Sequence, residues 1–322
     1  MKVCVAGEGA FGQKHMDALR RISGVEVTCL VGGGQEATAQ VARKYAIAHH
    51  TGDLGEGIER ADAVILTTPT PLHRAHAEQV MRGGKHVLIE IPIADSVKDS
   101  EALLEIQRET GVVAMAGHVR RFNPSHQWVH KRIQKGELKI LQMDVQTYFF
   151  RRTNINAAGQ PRNWTDHLLW HHAAHTVDLF QYQSGEPVID CYAVQGPIHP
   201  ALGIAMDMGI LLKSASGAIL TLSLSFNNDG PIGSFFRYIC DNGTYCAYYD
   251  DLVDGKSTPI DLSGVDVSMD GVELEDREFI GAIREKREPN SSLAQVLPCM
   301  RTLGRLEKII DPDRRAVAER LE

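Results

Sequence analysis

Residues 2–12 read Lys2-Val3-Cys4-Val5-Ala6-Gly7-Glu8-Gly9-Ala10-Phe11-Gly12, and they carry the strongest indication of the fold. A short apolar run leads directly into G-x-G-x-x-G, and a helical pattern follows from His15 to Ile22. In a strand–turn–helix context the glycines permit a tight turn and the close approach of a pyrophosphate, which lies on the helix N-terminus. The stretch therefore predicts a Rossmann dinucleotide-binding domain. The alternative is a glycine-rich turn that binds no ligand.

The end of the second predicted strand, 25–31, bears on the choice of dinucleotide. An Asp or Glu at this point usually binds a free ribose 2′-hydroxyl. This chain has Gly32-Gly33-Gly34-Gln35 there, and its first acidic residue, Glu36, comes later. Because no carboxylate would repel a 2′-phosphate, we expect NADP as the cofactor. NAD stays possible, because no Arg at the strand end would bind that phosphate.

Strand-like and helix-like segments alternate to about residue 118, which predicts a doubly wound parallel sheet in an α/β fold. After that point the pattern changes to period two, with apolar Leu220, Leu222 and Leu224 alternating with polar residues. We predict a Rossmann domain over 1–118 and an α+β domain with a mostly antiparallel, open-faced sheet over 119–322. The final helix, near 293–310, could pack back on the first domain.

Composition excludes some classes of function. The 322 residues carry a net charge of −7, which argues against a nucleic-acid partner, since such proteins neutralise phosphates with Lys and Arg. No apolar run reaches the ~20 residues of a membrane span, and the N-terminus runs straight into the glycine motif without a signal peptide. The six cysteines show no C-x-x-C spacing, so we expect reduced thiols in a cytoplasmic protein.

A second stretch, residues 168–180, concentrates titratable groups. Read as one helix, it places His171, His175 and Asp178 on a single face, because positions three and four apart are neighbours. We interpret this face as part of an active site. The alternatives are histidines hydrogen-bonded in the core, or a metal enzyme that uses this face, with His172 pointing about 100° away. A non-catalytic NADP sensor is a further alternative.

Several motifs, in this order, resemble the glucose-fructose oxidoreductase / inositol dehydrogenase family. They are Gly7-x-Gly9-x-x-Gly12, Thr67-Thr68-Pro69 followed by His73, Gly84-Lys85-His86-Val87 into Glu90-x-Pro92, and His175-Thr176-Val177-Asp178. The resemblance implies hydride exchange between a nicotinamide and a hydroxyl carbon, and homodimers or homotetramers built through the C-terminal sheet. The cofactor-binding residues that the motifs imply are Gly7, Gly9, Ala10, Phe11, Gly12, Thr67, Thr68, Pro69, His73, Glu90 and Pro92.

Four further segments are similar to one branch of this family. The segments are 121–126, 144–152, 164–178 and 225–231. The branch comprises bacterial dehydrogenases of protocatechuate 4,5-cleavage, which oxidise a cyclic hemiacetal to 2-pyrone-4,6-dicarboxylate with NADP. The similarity implies that activity here; the alternative is another family dehydrogenase acting on a sugar or polyol.

Two departures from the family pattern shift the proton chemistry toward histidine. Ile91 stands where the family has a lysine, and His171 stands where it has an aspartate. His175 occupies the family's catalytic position, and a neutral imidazole with a pKa of about 6.5 is suited to removing a hydroxyl proton. We therefore expect His175 to be the general base, with Asp178 or His171 orienting it or passing the proton on. We expect no metal.

A small di- or tricarboxylate substrate requires local positive charge in this acidic protein. A guanidinium can hold a carboxylate by two parallel hydrogen bonds. Arginines beside the histidine segment are candidates, and at least one should bind substrate, although each alone could be a solvated surface charge. Arg162 belongs to this set, whereas Asn227 and Asn228 are interpreted as turn residues. The expected substrate-binding residues are Arg120, Arg121, Tyr148, Arg151, Arg152 and His172.

Overall fold

A computed structural model of the chain describes residues 1–155, 159, 161–162, 164–264 and 271–311. These residues form two compact units. The first consists of Met1–Val119 with Val272–Leu297, and the second of Arg120–Gly271 with the chain from Pro298 onward. The segment 272–297, which includes the start of the last helix, thus belongs with the first unit. The division into domains at 1–118 and 119–322 stays a prediction.

The first unit is the expected doubly wound fold. Its six strands are all parallel and follow the order β3-β2-β1-β4-β5-β6. Its strands are β1 (Lys2–Ala6), β2 (Glu26–Val31), β3 (His49–Thr51), β4 (Ala63–Leu66), β5 (His86–Glu90) and β6 (Ala114–Gly117). Its helices are α1 (Ala10–Leu19), α2 (Gln35–Tyr45), α3 (Leu54–Glu59), α4 (His73–Arg82) and α5 (Val97–Thr110), with α8 (Gly271–Glu285) added later in the chain.

Helix α1 begins earlier than the pattern predicted. It starts at Ala10, inside the glycine motif, rather than at His15. The apolar spacing alone did not show this, because the first turn contains the small residues of the motif. Since α1 is capped by Gly9, its free backbone N–H groups lie at the motif itself, where an anionic group can approach them.

The second unit contains a seven-stranded sheet in the order β13-β12-β11-β7-β10-β9-β8. All neighbours are antiparallel except β7 and β10, so the prediction of a mostly antiparallel sheet is confirmed. The strands are β7 (Ile140–Tyr148), β8 (Val188–Gln195), β9 (Asp207–Ser214), β10 (Ile219–Ser225), β11 (Gly233–Cys240), β12 (Gly243–Tyr248) and β13 (Asp251–Asp254). The helices are α6 (Pro124–Gln134), α7 (Ala174–Ser184) and α9 (Leu293–Ile310).

One face of this sheet is buried, as the period-two pattern predicted. Leu220, Leu222 and Leu224 of β10 are at most 2% exposed. On β7 the alternation holds for Met143, Val145 and Thr147 but fails at Leu141, which is 48% exposed. The β7–β11 register shifts near this end of the strand, between Ile239 and Cys240. A shift of one residue exchanges the two faces, so Ile140 is buried in place of Leu141.

The prediction of one continuous α-helix over residues 168–180 is wrong at its start. Leu168–Ala173 form a π-helical segment, and α7 begins only at Ala174. His171 therefore lies on a wider turn than His175 and Asp178, and the i, i+4 argument does not apply to it. π-Helical turns occur frequently at functional sites. The segment buries Leu168, Leu169 and Trp170.

Candidate active site

The glycine loop of the first unit has the geometry that a dinucleotide requires. Gly7 has φ +124°, and a Cβ there would lie 2.3 Å from Thr67 Oγ1. A Cβ on Gly12 would lie 1.9 Å from the Gly7 carbonyl oxygen, so the loop and α1 pack too closely for any side chain. Around Gly9, by contrast, a Cβ would meet nothing within 4 Å. The loop is therefore closely packed at Gly7 and Gly12 and has open space at Gly9. Gly9 is at the start of α1, where a pyrophosphate can bind backbone N–H groups.

The two neighbouring loops are held together by His73. Its ring nitrogens lie 2.8 Å from the Pro92 carbonyl oxygen and 2.7 Å from that of Thr68. Burial lowers the pKa of His73, although both carbonyls favour the protonated ring. With both nitrogens bonded to backbone, His73 positions the Thr68 and Pro92 loops. Thr67 fixes the glycine loop in the same way, donating to the carbonyl oxygens of Ala6 and Gly7.

A buried charged cluster joins α1, the helix that begins in the glycine motif, to β5 and α8. His15 of α1 is 0% exposed, and its ring nitrogens lie 2.8 Å from Asp276 Oδ1 and 3.0 Å from Glu90 Oε1. Desolvation opposes protonation of this ring, but the Asp276 and Glu90 carboxylates outweigh it and raise the pKa of His15 well above its usual value. The carboxylate of Glu275 belongs to the same cluster. Protonated His15 therefore links α1, the end of β5 and α8.

The side chain of Glu8 reaches the loop that follows β2. Its carboxylate oxygens accept hydrogen bonds from the backbone N–H groups of Gly33 (3.3 Å) and Gly34 (3.2 Å). A Cβ on Gly32 would lie 2.7 Å from Glu8 Oε2, so the carboxylate packs directly on the end of this strand. The premise that no carboxylate lies at the end of β2 is therefore wrong, because the glycine motif itself supplies one.

In the second unit, Arg121 and Asp178 form a buried bidentate ion pair. Arg121 Nε and Nη2 each donate to a carboxylate oxygen of Asp178 at 2.7 Å. The two side chains are 2% and 1% exposed. Desolvation works against this charge, but Asp178 raises the pKa of Arg121. The structure thus joins two residues that the sequence analysis assigned to different roles, substrate binding and orientation of His175.

The histidine segment, residues 167–178, contains four half-buried histidines: His167, His171, His172 and His175. His171 Nδ1 accepts a hydrogen bond from the backbone N–H of His167 at 2.9 Å, and its ring stacks on Trp164. Because a backbone N–H can only donate, Nδ1 is unprotonated, and the neutral ring carries its proton on Nε2. His171 is therefore arranged as a hydrogen-bond donor toward its surroundings. His175 is the second residue of α7.

Next to these histidines lies a cluster of aromatic and charged side chains. The His172 ring packs between Phe149 and Phe226, with ring centroids 5.3 and 5.0 Å apart. Burial in this surrounding lowers the pKa of His172 to about 4, so the ring is neutral near pH 7. The Arg151 guanidinium lies 4.7 Å from the Phe226 ring centroid and is ion-paired with Asp166. Burial would raise the pKa of Asp166, but Arg151 lowers it.

Two guanidinium groups of this region keep buried nitrogens without a hydrogen-bond partner among the described residues: Arg151 through Nη1 and Arg120 through Nε. His172 Nε2 is in the same state. Arg120 also donates to Asn123 and Ser234, and both arginines act electrostatically on His172. Buried donors are normally satisfied, so these groups are suited to an anionic ligand.

Other candidates are engaged elsewhere. Tyr148 donates to Ser223 Oγ at 3.0 Å, on the face of the sheet opposite Thr147 and the histidine segment. Arg152 donates to the Arg151 and Phe226 carbonyl oxygens and to Asn227 Oδ1. The structure therefore does not bring Tyr148 to the histidine cluster, and Arg152 tethers a turn. Further contacts of this kind are Asn227 with Asp207, Asn228 with Pro231, and Arg162 with Asp166.

The metal alternative requires ligand atoms of His171, His175 and Asp178 that lie close enough to share one ion. Within the described part of the chain, His171, His175 and Asp178 do not form a group of ligand atoms close enough to share an ion. A group that does so in the first unit is His15 with Glu90 and Glu275. Both nitrogens of His15 are already bonded to carboxylates, however, and the charge of the imidazolium offsets theirs.

Known proteins match the chain over nearly its full length. The family described as "Oxidoreductase family, NAD-binding Rossmann fold" matches residues 1–118, and "Bacterial oxidoreductases, C-terminal" matches residues 124–266. The 4-carboxy-2-hydroxymuconate-6-semialdehyde dehydrogenase of Sphingobium sp. is 63% identical over 309 residues, covering 95% of this chain and 98% of that protein. The chain belongs to this oxidoreductase family. It is thus an NAD(P)-dependent oxidoreductase, as the sequence motifs predicted.

A more distant relative and the protein of one solved structure are also dehydrogenases. The scyllo-inositol 2-dehydrogenase (NAD(+)) of Bacillus subtilis is 32% identical over 141 residues, or 43% of this chain and 41% of that protein. A UDP-N-acetylglucosamine 3-dehydrogenase structure from Acidithiobacillus ferrooxidans superposes with a TM-score of 0.83 at 20% identity, covering 96% and 97% of the two chains. At that identity the superposition shows a shared fold.

Three residues, two in the first unit and one in the second, were not identified as functional candidates from the sequence. Glu8 lies within the glycine motif and His15 follows it, but one-dimensional spacing does not show that they reach Gly33 and Asp276. Asp166, which holds Arg151, stands four residues after Arg162, and that spacing was the only available signal.

Among the described helices, none is long and apolar enough to cross a membrane.

Proposed function

We propose that this protein oxidises 4-carboxy-2-hydroxymuconate-6-semialdehyde, as its cyclic hemiacetal, to 2-pyrone-4,6-dicarboxylate. The observation that carries this proposal is the 63% identity to the Sphingobium dehydrogenase, which extends over 95% of the chain and so over both units. A bound nicotinamide dinucleotide supplies the hydride acceptor. The residues of the first unit that would hold it are those of the glycine loop and of the Thr67–Pro69 and Glu90–Pro92 loops.

His175 is the proposed general base. Oxidation of the hemiacetal carbon breaks its C–H bond as a hydride and releases the hydroxyl proton, which an imidazole can accept near neutral pH. His171 is less suited to this role, because its Nδ1 is bonded to the His167 N–H and its Nε2 carries the proton. We assign to His171 the donation of a hydrogen bond from Nε2. Asp178, paired with Arg121, fixes α7 relative to Arg121.

The substrate's carboxylates would bind the unsatisfied donors near His172. Arg151 Nη1 and Arg120 Nε are buried and have no partner in the described residues, so a carboxylate that accepts from them removes a desolvation cost. Asp166 holds Arg151 in place through a second nitrogen, Nη2. A hemiacetal hydroxyl is more acidic than an alcohol, which compensates for the missing family lysine at Ile91.

The open face of the sheet supports a homodimer or homotetramer. Tyr192 and Val194 on β8 are 63% and 73% exposed, and Leu211 on β9 is 42% exposed. Such a group of exposed apolar side chains on one face of a sheet is typical of an interface. The free state of all six cysteines is consistent with a cytoplasmic location.

A coenzyme-reduction assay tests the activity. Purified protein is given the protocatechuate 4,5-cleavage product with NAD and NADP in parallel, and reduction is followed by absorbance. We expect turnover by the wild type and by His50→Ala, a control at an exposed position. His175→Ala should abolish kcat while dinucleotide binding, measured by calorimetry, is unchanged.

Two results would contradict the proposal. Near-normal kcat in His175→Ala would remove the assignment of the base. If the wild type bound the dinucleotide but did not reduce it, the family assignment would stand and the proposed substrate would be wrong. A sugar or polyol would then be the next substrate to assay.

A further inference from the structure

The end of β2 is where a Rossmann fold distinguishes NAD from NADP. An acidic residue there accepts a hydrogen bond from the ribose 2′-hydroxyl of NAD, whereas NADP requires a cation for its 2′-phosphate. In this chain three glycines follow the strand, and they have no side chains that could supply either group. The acidic group at this place belongs instead to Glu8 of the glycine motif.

We propose that Glu8 is the residue that determines coenzyme choice and that it makes the enzyme prefer NAD over NADP. This inference rests on the proposed dehydrogenase function and replaces the expectation of NADP. That expectation depended on the absence of a carboxylate at the end of β2.

The position of the Glu8 carboxylate is fixed by the backbone. It accepts hydrogen bonds from two successive N–H groups, those of Gly33 and Gly34, and Gly34 is the N-cap of α2. These are the N–H groups that a 2′-phosphate would need, because an anion at this point gains from the helix N-terminus. Glu8 occupies them already. NADP could use them only after displacing a carboxylate that the same N–H groups stabilise.

The packing around Gly32 leaves no space for a side chain at this position. A Cβ on Gly32 would lie 2.1 Å from Thr38 Oγ1 and 2.7 Å from Glu8 Oε2. Both contacts are shorter than side chains allow, so glycine at this position makes room for the Glu8 carboxylate.

The charge around Glu8 points in the same direction. Among the described residues, no Lys or Arg forms an ion pair with its carboxylate. The basic residues of α2, Arg43 and Lys44, are bonded to Glu36 Oε1 and Gln13 Oε1. A 2′-phosphate would therefore meet an uncompensated negative charge. A free 2′-hydroxyl would instead donate a hydrogen bond to it, which is stronger than one to a neutral acceptor.

Calorimetric titration of the full chain with NAD and with NADP tests the proposal without reference to turnover. We expect the wild type to bind NAD at least about tenfold more tightly than NADP, which is the scale of one repelled charge at a partly exposed site. Glu8→Gln keeps the shape and removes the charge. It should tighten NADP binding and weaken NAD binding, so that the ratio of the two Kd values falls by about tenfold or more.

Glu36→Gln is the matched control. It removes an equal charge from the first turn of α2, but Glu36 is paired with Arg43, so the Kd ratio should stay within about twofold of the wild type. A wild type that binds NADP as tightly as NAD, or a ratio unchanged in Glu8→Gln, would overturn the inference. Failure to bind either dinucleotide would instead contradict the proposed function, so the two failures are distinguishable.

Discussion

Arg121 and Asp178 are joined by two parallel hydrogen bonds of 2.7 Å and are both almost completely buried. Asp178 is on α7, and Arg121 ends the short 3₁₀ turn Val119–Arg121. Two charges removed from water stabilise a fold little as a pair, but either one left alone is costly. This pair therefore positions the start of α7, which carries His175, and its individual residues are not available as a base or a substrate ligand.

Removal of one residue of the Arg121–Asp178 ion pair should destabilise the folded protein. We expect Arg121→Ala to lower the free energy of unfolding by about 3 to 5 kcal/mol, because it removes the positive charge that compensates the buried Asp178 carboxylate. Urea unfolding followed by circular dichroism measures the change. Arg108→Ala, which breaks an exposed pair with Glu105, is the control and should have little effect. If Arg121→Ala kept full stability and only raised KM, the arginine would be a substrate ligand after all.

His172 should make the protein sensitive to acid. Its pKa is about 4 in the folded protein, against about 6.5 for an unfolded histidine, because burial disfavours the charged ring. Between these values the unfolded chain binds more protons, so stability is complete above about pH 6.5 and falls as pH decreases toward 4. Removal of the ring should recover roughly 2 to 3 kcal/mol of this loss. Unfolding of His172→Gln and of wild type at pH 7 and at pH 4.5 measures the difference. Equal pH dependence of the two proteins would refute the shift, and His50→Gln, at an exposed position, controls for loss of a histidine.

The Rossmann unit was predictable because its signal is local. Strand β1, the glycine motif and α1 are consecutive, and buried parallel strands such as Ala63–Leu66 are apolar throughout. The sequence signal for the buried and exposed faces of β10 was equally local, because it lies in the alternation of consecutive residues. The π-helical turn at Leu168–Ala173 was not predictable, since apolar spacing favours an α-helix there and only the three-dimensional packing selects the wider turn.

The pairing of charged side chains could not be predicted either. Arg121 and Asp178 are 57 residues apart, and His15 and Asp276 are 261 apart. A residue's type and neighbours show that it can bear a charge, but not which distant charge it meets. For this reason the candidate residues were identified as a set, while their division into ligands, base and structural pairs required the fold.

Arg151 should bind substrate rather than stabilise the fold alone. We expect Arg151→Met to raise KM at least about tenfold, because the carboxylate loses a charge-assisted hydrogen bond. Steady-state kinetics separates this from kcat, which should fall less. Asp166→Asn should have the same direction with a smaller size, since it releases Arg151 without removing it. The control is again Arg108→Ala. An unchanged KM in Arg151→Met would place the substrate's carboxylates elsewhere.

His15 should give the opposite pH dependence to His172. Its folded-state pKa is raised well above the ordinary value, because the Asp276 and Glu90 carboxylates outweigh the desolvation of the ring. The stabilisation it provides is therefore complete below the unfolded pKa of about 6.5 and is lost as pH rises through the folded pKa. We expect the stability difference between wild type and His15→Gln to be largest near pH 6 and to shrink toward pH 9, measured by urea unfolding at each pH. His15→Gln should also weaken dinucleotide binding, since the ring ties α1 to Glu90 at the end of β5. A difference that grows with pH would mean that the ring is neutral between its carboxylates, and the charge assigned to this cluster would then be wrong.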